Sequence, residues 1–281
     1  MNIFRWTLLV ILINLGMYAQ QPLKVTGTLQ KSTYLFGEPV ELVLEYKNAT
    51  SSIIGPKDIG RVRVTLVNGK GDTLRECFSG NYNFSAHPHT YQPDESTFLA
   101  VELNFIYGHL FLPWVAANCF DNGQYTVIIC SSAPDGKIER KELRFDVVNP
   151  DGNELVVLNK FTEIMSTMAP KTGPTTQTQI DTLTRLHEKY PGSIYSPTIL
   201  EIIISFYHII RDDRIKANVF ATEMVEKYPG SVRSQYQLPN LINKITTKQE
   251  RVDFLRKIHT ASKNTLMEKV YEKQLEEELN K

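Results

Sequence analysis

The hydrophobic period of this chain changes once, at Pro150-Asp151-Gly152. Before that turn, apolar residues alternate. PVELVLEYK (39–47) puts Val40, Leu42, Leu44 and Tyr46 on one face and Glu41, Glu45 and Lys47 on the other. RVRVTLV (61–67) repeats the pattern with Val62, Val64 and Leu66 against Arg61, Arg63 and Thr65. A period of two describes antiparallel strands with one wet face. After the turn the period becomes 3.6, that of amphipathic helices. Such a switch in 281 residues predicts two domains, a strand domain over 22–150 and a helical domain over 152–281.

Further strands are expected at Val25–Leu29, Thr73–Phe78, Thr97–Phe105, Tyr125–Ser131 and Glu142–Val147. Turn-forming runs (FGEP, NATSS, NGKGD, DNGQ, APDGK) separate them, as in a two-sheet antiparallel sandwich. TYLFGEPVELVLEYKNAT (33–50), DNGQYTVIICSS (121–132) and RFDVVNPDGNE (144–154) resemble the opening, late and closing strands of immunoglobulin-like sandwich domains in exported bacterial proteins. The Cys-Trp-Cys core of antibody domains is missing, because Trp114 follows Cys77 in an irregular stretch. Gly37 and Pro39 read as architecture: glycine frees a turn, and proline opens a strand without needing a donor.

In the second half, helices are expected near 154–168, 176–190, 197–211, 214–228, 234–245, 248–260 and 263–279, with APKTGPT (169–175) as a breaker. EKYPGS occurs twice, at Glu188–Ser193 and, 38 residues later, at Glu226–Ser231. In register, Leu183, Leu186 and Tyr190 match Ala221, Met224 and Tyr228, one apolar stripe. His187 matches Val225 and so lies at the edge of that stripe. Pro-Gly then ends each helix, and Ser196-Pro197 suits the start of the next. EKYPGS is therefore a joint rather than a ligand motif. The segment 188–231 resembles the helical hairpins of tetratricopeptide-like proteins of bacterial envelopes, with Ala217 at the small position opening the second helix. The period of 38 is looser than the usual motif, Ile202, Ile203 and Ile204 crowd one helix, and Pro239 makes a third unit atypical. The expected fold is thus multidomain α and β: an N-terminal immunoglobulin-like antiparallel β-sandwich, then an all-α helical-hairpin repeat domain.

The first residues, MNIFRWTLLVILINLGMYAQQ, carry an Arg, an apolar run and small residues, the order of a secretory signal peptide over 1–19; an uncleaved anchor is the alternative. ILEIIISFYHII (199–210) is too short to span a bilayer and holds Glu201 and His208, so no span is expected after signal removal. Export places the protein in a periplasmic or extracellular space. There Cys77, Cys119 and Cys130 can pair in three ways; Cys119 and Cys130, close in sequence, are favoured, and free thiols are the alternative. His87 and His89 are two potential metal ligands without the companions a zinc site needs. Asn48 and Asn83 open glycosylation sequons, relevant in a eukaryotic host.

Formal net charge is zero and no basic stripe appears, which argues against nucleic acid as a partner. No GxSxG, Walker, GxGxxG or HExxH pattern is present. No cofactor, metal or catalytic residue is predicted. The leading expectation is an exported, non-enzymatic binding or assembly protein that engages a protein or peptide through helical positions such as Tyr195, Ser205 and His208. A secreted hydrolase or its accessory protein or inhibitor, drawing on the irregular stretches 78–91 and 105–120, is one alternative. A glycan-binding sandwich using Tyr82, Phe84, Tyr91 and Trp114 is another.

Overall fold

The computed structural model describes residues 23–55, 60–75, 90–107, 109–110, 118–132, 137–167 and 176–281. The signal segment, Cys77, Tyr82, Asn83, Phe84, His87, His89 and Trp114 lie outside the described residues, as do the side chains of His109 and Cys119.

The strand part is β1 (Leu23–Leu29), β2 (Thr33–Leu35), β3 (Glu41–Asn48), β4 (Val62–Asn68), β5 (Ser96–Glu102), β6 (His109–Leu110), β7 (Asn118–Cys119), β8 (Gly123–Ser132) and β9 (Ile138–Val148), with a short helix α1 (Leu103–Tyr107) after β5. Among the described residues three open sheets form: β1-β3-β5, β2-β9-β8-β4, and the small pair β6-β7. One apolar core joins the first two, with Leu42, Leu44 and Val101 from the first and Leu66, Val127 and Phe145 from the second. The sheets meet closely at β1, where a Cβ added to Gly27 would lie 2.2 Å from Ile129 Cδ1. Gly37 has φ +79°, so the turn before β3 does require glycine.

Four expectations need correction. First, the strand part is not wholly antiparallel: β2 pairs with β9 in parallel, and Phe36 N–H continues that contact to the Val148 carbonyl. Second, of the strand expected over Thr73–Phe78 the described residues show an isolated bridge from Thr73 to Val67, and 76–78 lie outside the described residues. Third, the expected run 97–105 ends at Glu102, and α1 takes over; Asn104 there accepts from Val40 N–H at 2.6 Å and donates to the Glu38 carbonyl at 3.0 Å. Fourth, Cys130 is a free thiol. Asn48, the first sequon asparagine, is fully buried, and its amide donates to the carbonyls of Ser52, Tyr91 and Gln92.

The helical part is α2 (Gly152–Ser166), α3 (Gln177–Lys189), α4 (Ser196–Ser205) continued by a π-turn (Phe206–Ile210), α5 (Arg214–Lys227), α6 (Val232–Ile242), α7 (Lys248–Ala261) and α8 (Glu268–Asn280). Sequence capping is visible: Thr176 and Gln179 form a capping box at α3, Pro197 sits in the first turn of α4, and Asp213 caps α5 through Lys216 N–H. Pro239 lies inside α6. Leu183, Leu186, Ala221 and Met224 are buried in one core, as the stripe required. No helix among the described residues is long and apolar enough to cross a membrane.

The outer face of β3 is covered at its start, around Glu41 and Val43. Val43 and Ala100 belong to the helical core, and Glu41 is buried. Alternation alone cannot reveal this, because a polar residue facing a polar partner looks like one facing water. The partner is the second EKYPGS turn. Ser231 Oγ donates to Glu41 Oε1 at 3.0 Å, and Val232 N–H donates to the same oxygen at 2.7 Å. The first copy uses the same two donors on another carboxylate: Ser193 Oγ donates to Glu154 Oε2 of α2 at 2.7 Å and Ile194 N–H to Glu154 Oε1 at 3.3 Å. A third turn makes the backbone half of this contact with an amide oxygen. Leu266 N–H donates to Gln30 Oε1 at 3.2 Å, and Thr265 Oγ1 accepts from Met267 N–H as Ser193 accepts from Tyr195 and Ser231 from Arg233.

The residue two past each of the first two serines also reaches the strand part. Tyr195 Oη donates to the Phe36 carbonyl at 2.7 Å. Arg233 Nη2 donates to Glu102 Oε1 at 2.8 Å, both side chains about 5% exposed or less. Tyr236 reaches the Ala100 carbonyl, and Lys273 of α8 pairs with Glu95. Removing one member of a buried ion pair strands the other. Arg233→Ala is therefore expected to cost about 3–5 kcal/mol in urea unfolding, and Arg233→Met combined with Glu102→Gln substantially less. Equal losses in the two variants would show that the pair is not what holds the interface.

Candidate functional site

Three helix stripes converge on one groove of about 450 Å³. From α4 and its π-turn come Glu201, Ile204, Ser205 and His208, at spacings of three and four along one face. The α5 stripe is Arg214, Ala217, Asn218 and Ala221. From α6 come Gln237, Asn240, Leu241 and Lys244. Ala217 and Ala221 are buried, and their short side chains leave the floor low between two taller walls. The walls touch at one end, where Gln237 Nε2 donates to Glu201 Oε2 at 3.2 Å. The other end carries His208, Arg214 and Lys244. Lys244 donates to Asn218 Oδ1, and Arg214 lies 3.6 Å from Asp212.

The π-turn shapes that open end. Arg211 N–H bonds back to the Phe206 carbonyl, five residues away, which widens the helix there. Asp212 then adopts φ +49° to start the reversal into α5. His208, Ile209 and Ile210 are turned outward as a result. Ile209 is 75% exposed at the groove, and Ile215 and Val219 are exposed on the neighbouring α5.

The residues predicted to face a partner separate here. Ser205 and His208 line the groove together. Tyr195 does not; it is fully buried with its hydroxyl spent on Phe36, and burial and the nearby Glu154 and Glu38 charges raise its pKa. Sequence reasoning missed Glu201, Gln237 and Asn218 as groove residues: Glu201 lies four before Ser205 on one helix face, which was a usable signal, whereas Asn218 and Gln237 lie on other helices and share no motif with it. His187, placed at a stripe edge, is buried and bonded through Nε2 to Glu223 at 3.0 Å. Tyr91 is fully buried with its hydroxyl 2.9 Å from Thr97 Oγ1, so it cannot stack on a sugar.

Burial raises the Glu201 carboxyl above its usual range, opposed by Arg233 and the Gln237 amide. With the Gln237 amide and the Ser205 hydroxyl, that carboxyl makes a wall rich in hydrogen-bonding groups. Among the described residues no group of three or more His, Cys, Asp or Glu is placed to hold a metal ion.

No family model and no curated protein sequence matches the chain. Among solved structures it is similar to Spo0M, a sporulation control protein from Bacillus subtilis, at 16% identity and a TM-score of 0.27, over 51% of this chain and 56% of that one. It is similar to the periplasmic chaperone SfaE at 11% identity and 0.28, over 46% and 58%. A β-glucosidase from Listeria innocua in complex with isofagomine aligns at 12% identity and 0.28, over 45% of this chain and 16% of the enzyme. The chain thus spans less than two thirds of each of these proteins. At TM-scores this low none of them bears on function.

The placements of Tyr195 and Ser205 make a paired expectation. Tyr195→Phe loses a buried hydrogen bond and should lower stability by about 1 kcal/mol. Ser205→Arg, on a half-exposed wall, should stay within about 0.5 kcal/mol of the parent. Thermal and urea unfolding of the two variants checks both, and a larger loss in Ser205→Arg would mean that the groove is packed shut.

Proposed function

We propose that the chain is an exported, non-enzymatic binding or assembly protein, built from an immunoglobulin-like sandwich and a tetratricopeptide-like helical region. It takes an extended peptide segment of a partner protein into the groove between α4, α5 and α6. The carrying observation is the groove's lining: Asn218, Gln237, Asn240 and Asn243 surround a low alanine floor. An amide side chain offers both a donor and an acceptor, the same pair that each peptide unit of an extended segment leaves unsatisfied. The low floor admits a backbone, and Ile209 at the rim offers apolar area to its side chains. The spacing of these groups along helices that are fixed at their starts supports binding without induced fit. The recurrent turn geometry at Ser193, Ser231 and Thr265 supports the helical-hairpin reading.

The test is a competition in which Ser205→Arg and Tyr195→Phe are compared with the parent. Immobilised protein is incubated with overlapping peptides that cover the exported proteins of the host. The parent and Tyr195→Phe are expected to retain the same peptides, and Ser205→Arg to lose them by at least about tenfold in affinity. Identical peptide retention by Ser205→Arg, or no retention by the parent, overturns the reading.

A further inference from the structure

Glu41 and Glu102 lie directly opposite one another across β3 and β5. Like charges in that position repel, and here both side chains are buried beneath the helical part. The cationic partner is Arg233 of α6, paired with Glu102. Arg233 also interacts with Glu201 of α4 and with Glu41, and the three carboxylates together hold its pKa above the ordinary value despite burial. From α6, Ser231 Oγ and Val232 N–H donate to Glu41. From α8, Tyr271 places a buried hydroxyl without a hydrogen-bond partner within range of the Glu41 charge. From β2, Tyr34 feels the same charge. The facing groups are therefore three carboxylates, one guanidinium and two neutral phenols. Such a set is balanced only when protons remain on carboxyl groups.

We propose that the Glu41–Glu102–Arg233 cluster is a proton-operated latch. A proton on Glu41 clamps α6 to the sheet, and its loss loosens α6 and the groove wall that α6 supplies. The mechanical link is one helical turn: Arg233 faces the sheet, and Gln237, four residues on, bonds Glu201 across the groove. Glu201 in turn interacts with Arg233, so sheet interface and groove share a single network. The consequence for ligand binding rests on the groove reading above; the latch itself does not.

The sign follows from linkage. Burial, with the Glu102 charge adding to it, raises the Glu41 carboxyl from 4.5 to about 7, against the lowering effect of the Val232 and Ser231 hydrogen bonds. Glu201 is raised as well. A group that holds its proton more tightly when docked stabilises the docked form fully below its free value and loses that contribution as pH climbs through the docked value. The latch is therefore closed in mildly acidic surroundings and opens as the pH passes about 7.

Backbone hydrogen exchange on the full chain, corrected for intrinsic pH dependence, tests this between about pH 5 and pH 8. Protection of α6 and β5 is expected to fall by at least about tenfold across this window. The distant Thr178–Asp181 turn of α3 should show no such step. Glu41→Gln keeps the shape and removes the titration, so its α6 protection should not fall. Glu102→Gln removes the opposing carboxylate and leaves Arg233 to Glu41, so its step should move to lower pH. Should Glu41→Gln fail to fold, the displacement in Glu102→Gln decides. An α6 step unchanged in both variants, or a loss shared equally by α3, overturns the proposal. A groove that binds no peptide leaves the exchange result standing, and a flat exchange profile leaves peptide binding standing, so the two failures are distinguishable.

Discussion

The structure depends on one small recognition event: an oxygen acceptor taken by a turn's backbone N–H, with a serine hydroxyl beside it at two of the three sites. The Ser193 turn holds Glu154, the Ser231 turn holds Glu41, and the Thr265 turn holds Gln30. Each turn stands at the start of a helix, where backbone N–H groups lack partners and a negative charge is favoured. The first contact stays within the helical part. The second and third tie that part to the strands. Two donors share one Glu41 oxygen across the interface, and the Arg233–Glu102 pair lies beside them, with Glu102 directly opposite Glu41 on the sheet.

Fixing the helix starts has a geometric consequence. Helices α4 and α6 both leave docked turns. Ser205 lies ten residues beyond Tyr195, about 15 Å along the axis. The groove therefore begins beside the interface, at Glu201 and Gln237, and its mouth, at His208, Arg214 and Lys244, lies farther along the helices. The turns orient the walls while contributing no side chain to them.

Much of this was legible in the sequence. The period switch at Pro150-Asp151-Gly152 falls between β9 and α2, because a reversal of period is a property of the chain that tertiary contacts only confirm. Most strands and all seven long helices of the described residues fall within a few residues of their expected places. Ser205 and His208 could be placed on one face because helical spacing is local. Tyr195 could not. It sits between the turn and α4, where the spacing rule has not begun, and a tyrosine there serves equally well as a surface anchor or a tether. Its partner, the Phe36 carbonyl, is 159 residues away, and no local pattern encodes a backbone acceptor.

The turn at Thr265 shows what repeat detection by letters misses. It shares neither Tyr, Pro nor Gly with EKYPGS; its SKNT has Asn264 at φ +65°, a conformation that Asn tolerates better than most residues. It also comes 34 rather than 38 residues after its predecessor. What persists is the chemistry: a hydroxyl residue accepts from the N–H two positions on, and the N–H between them donates to an outside oxygen. Glu41 was misread for the complementary reason. An acidic residue at an alternating position is assigned to water by default, yet a turn that presents a hydroxyl and a free N–H can replace that water. Two features that look unrelated in the sequence, a glutamate on a strand's polar face and a serine after Pro-Gly, are thus the two halves of one contact.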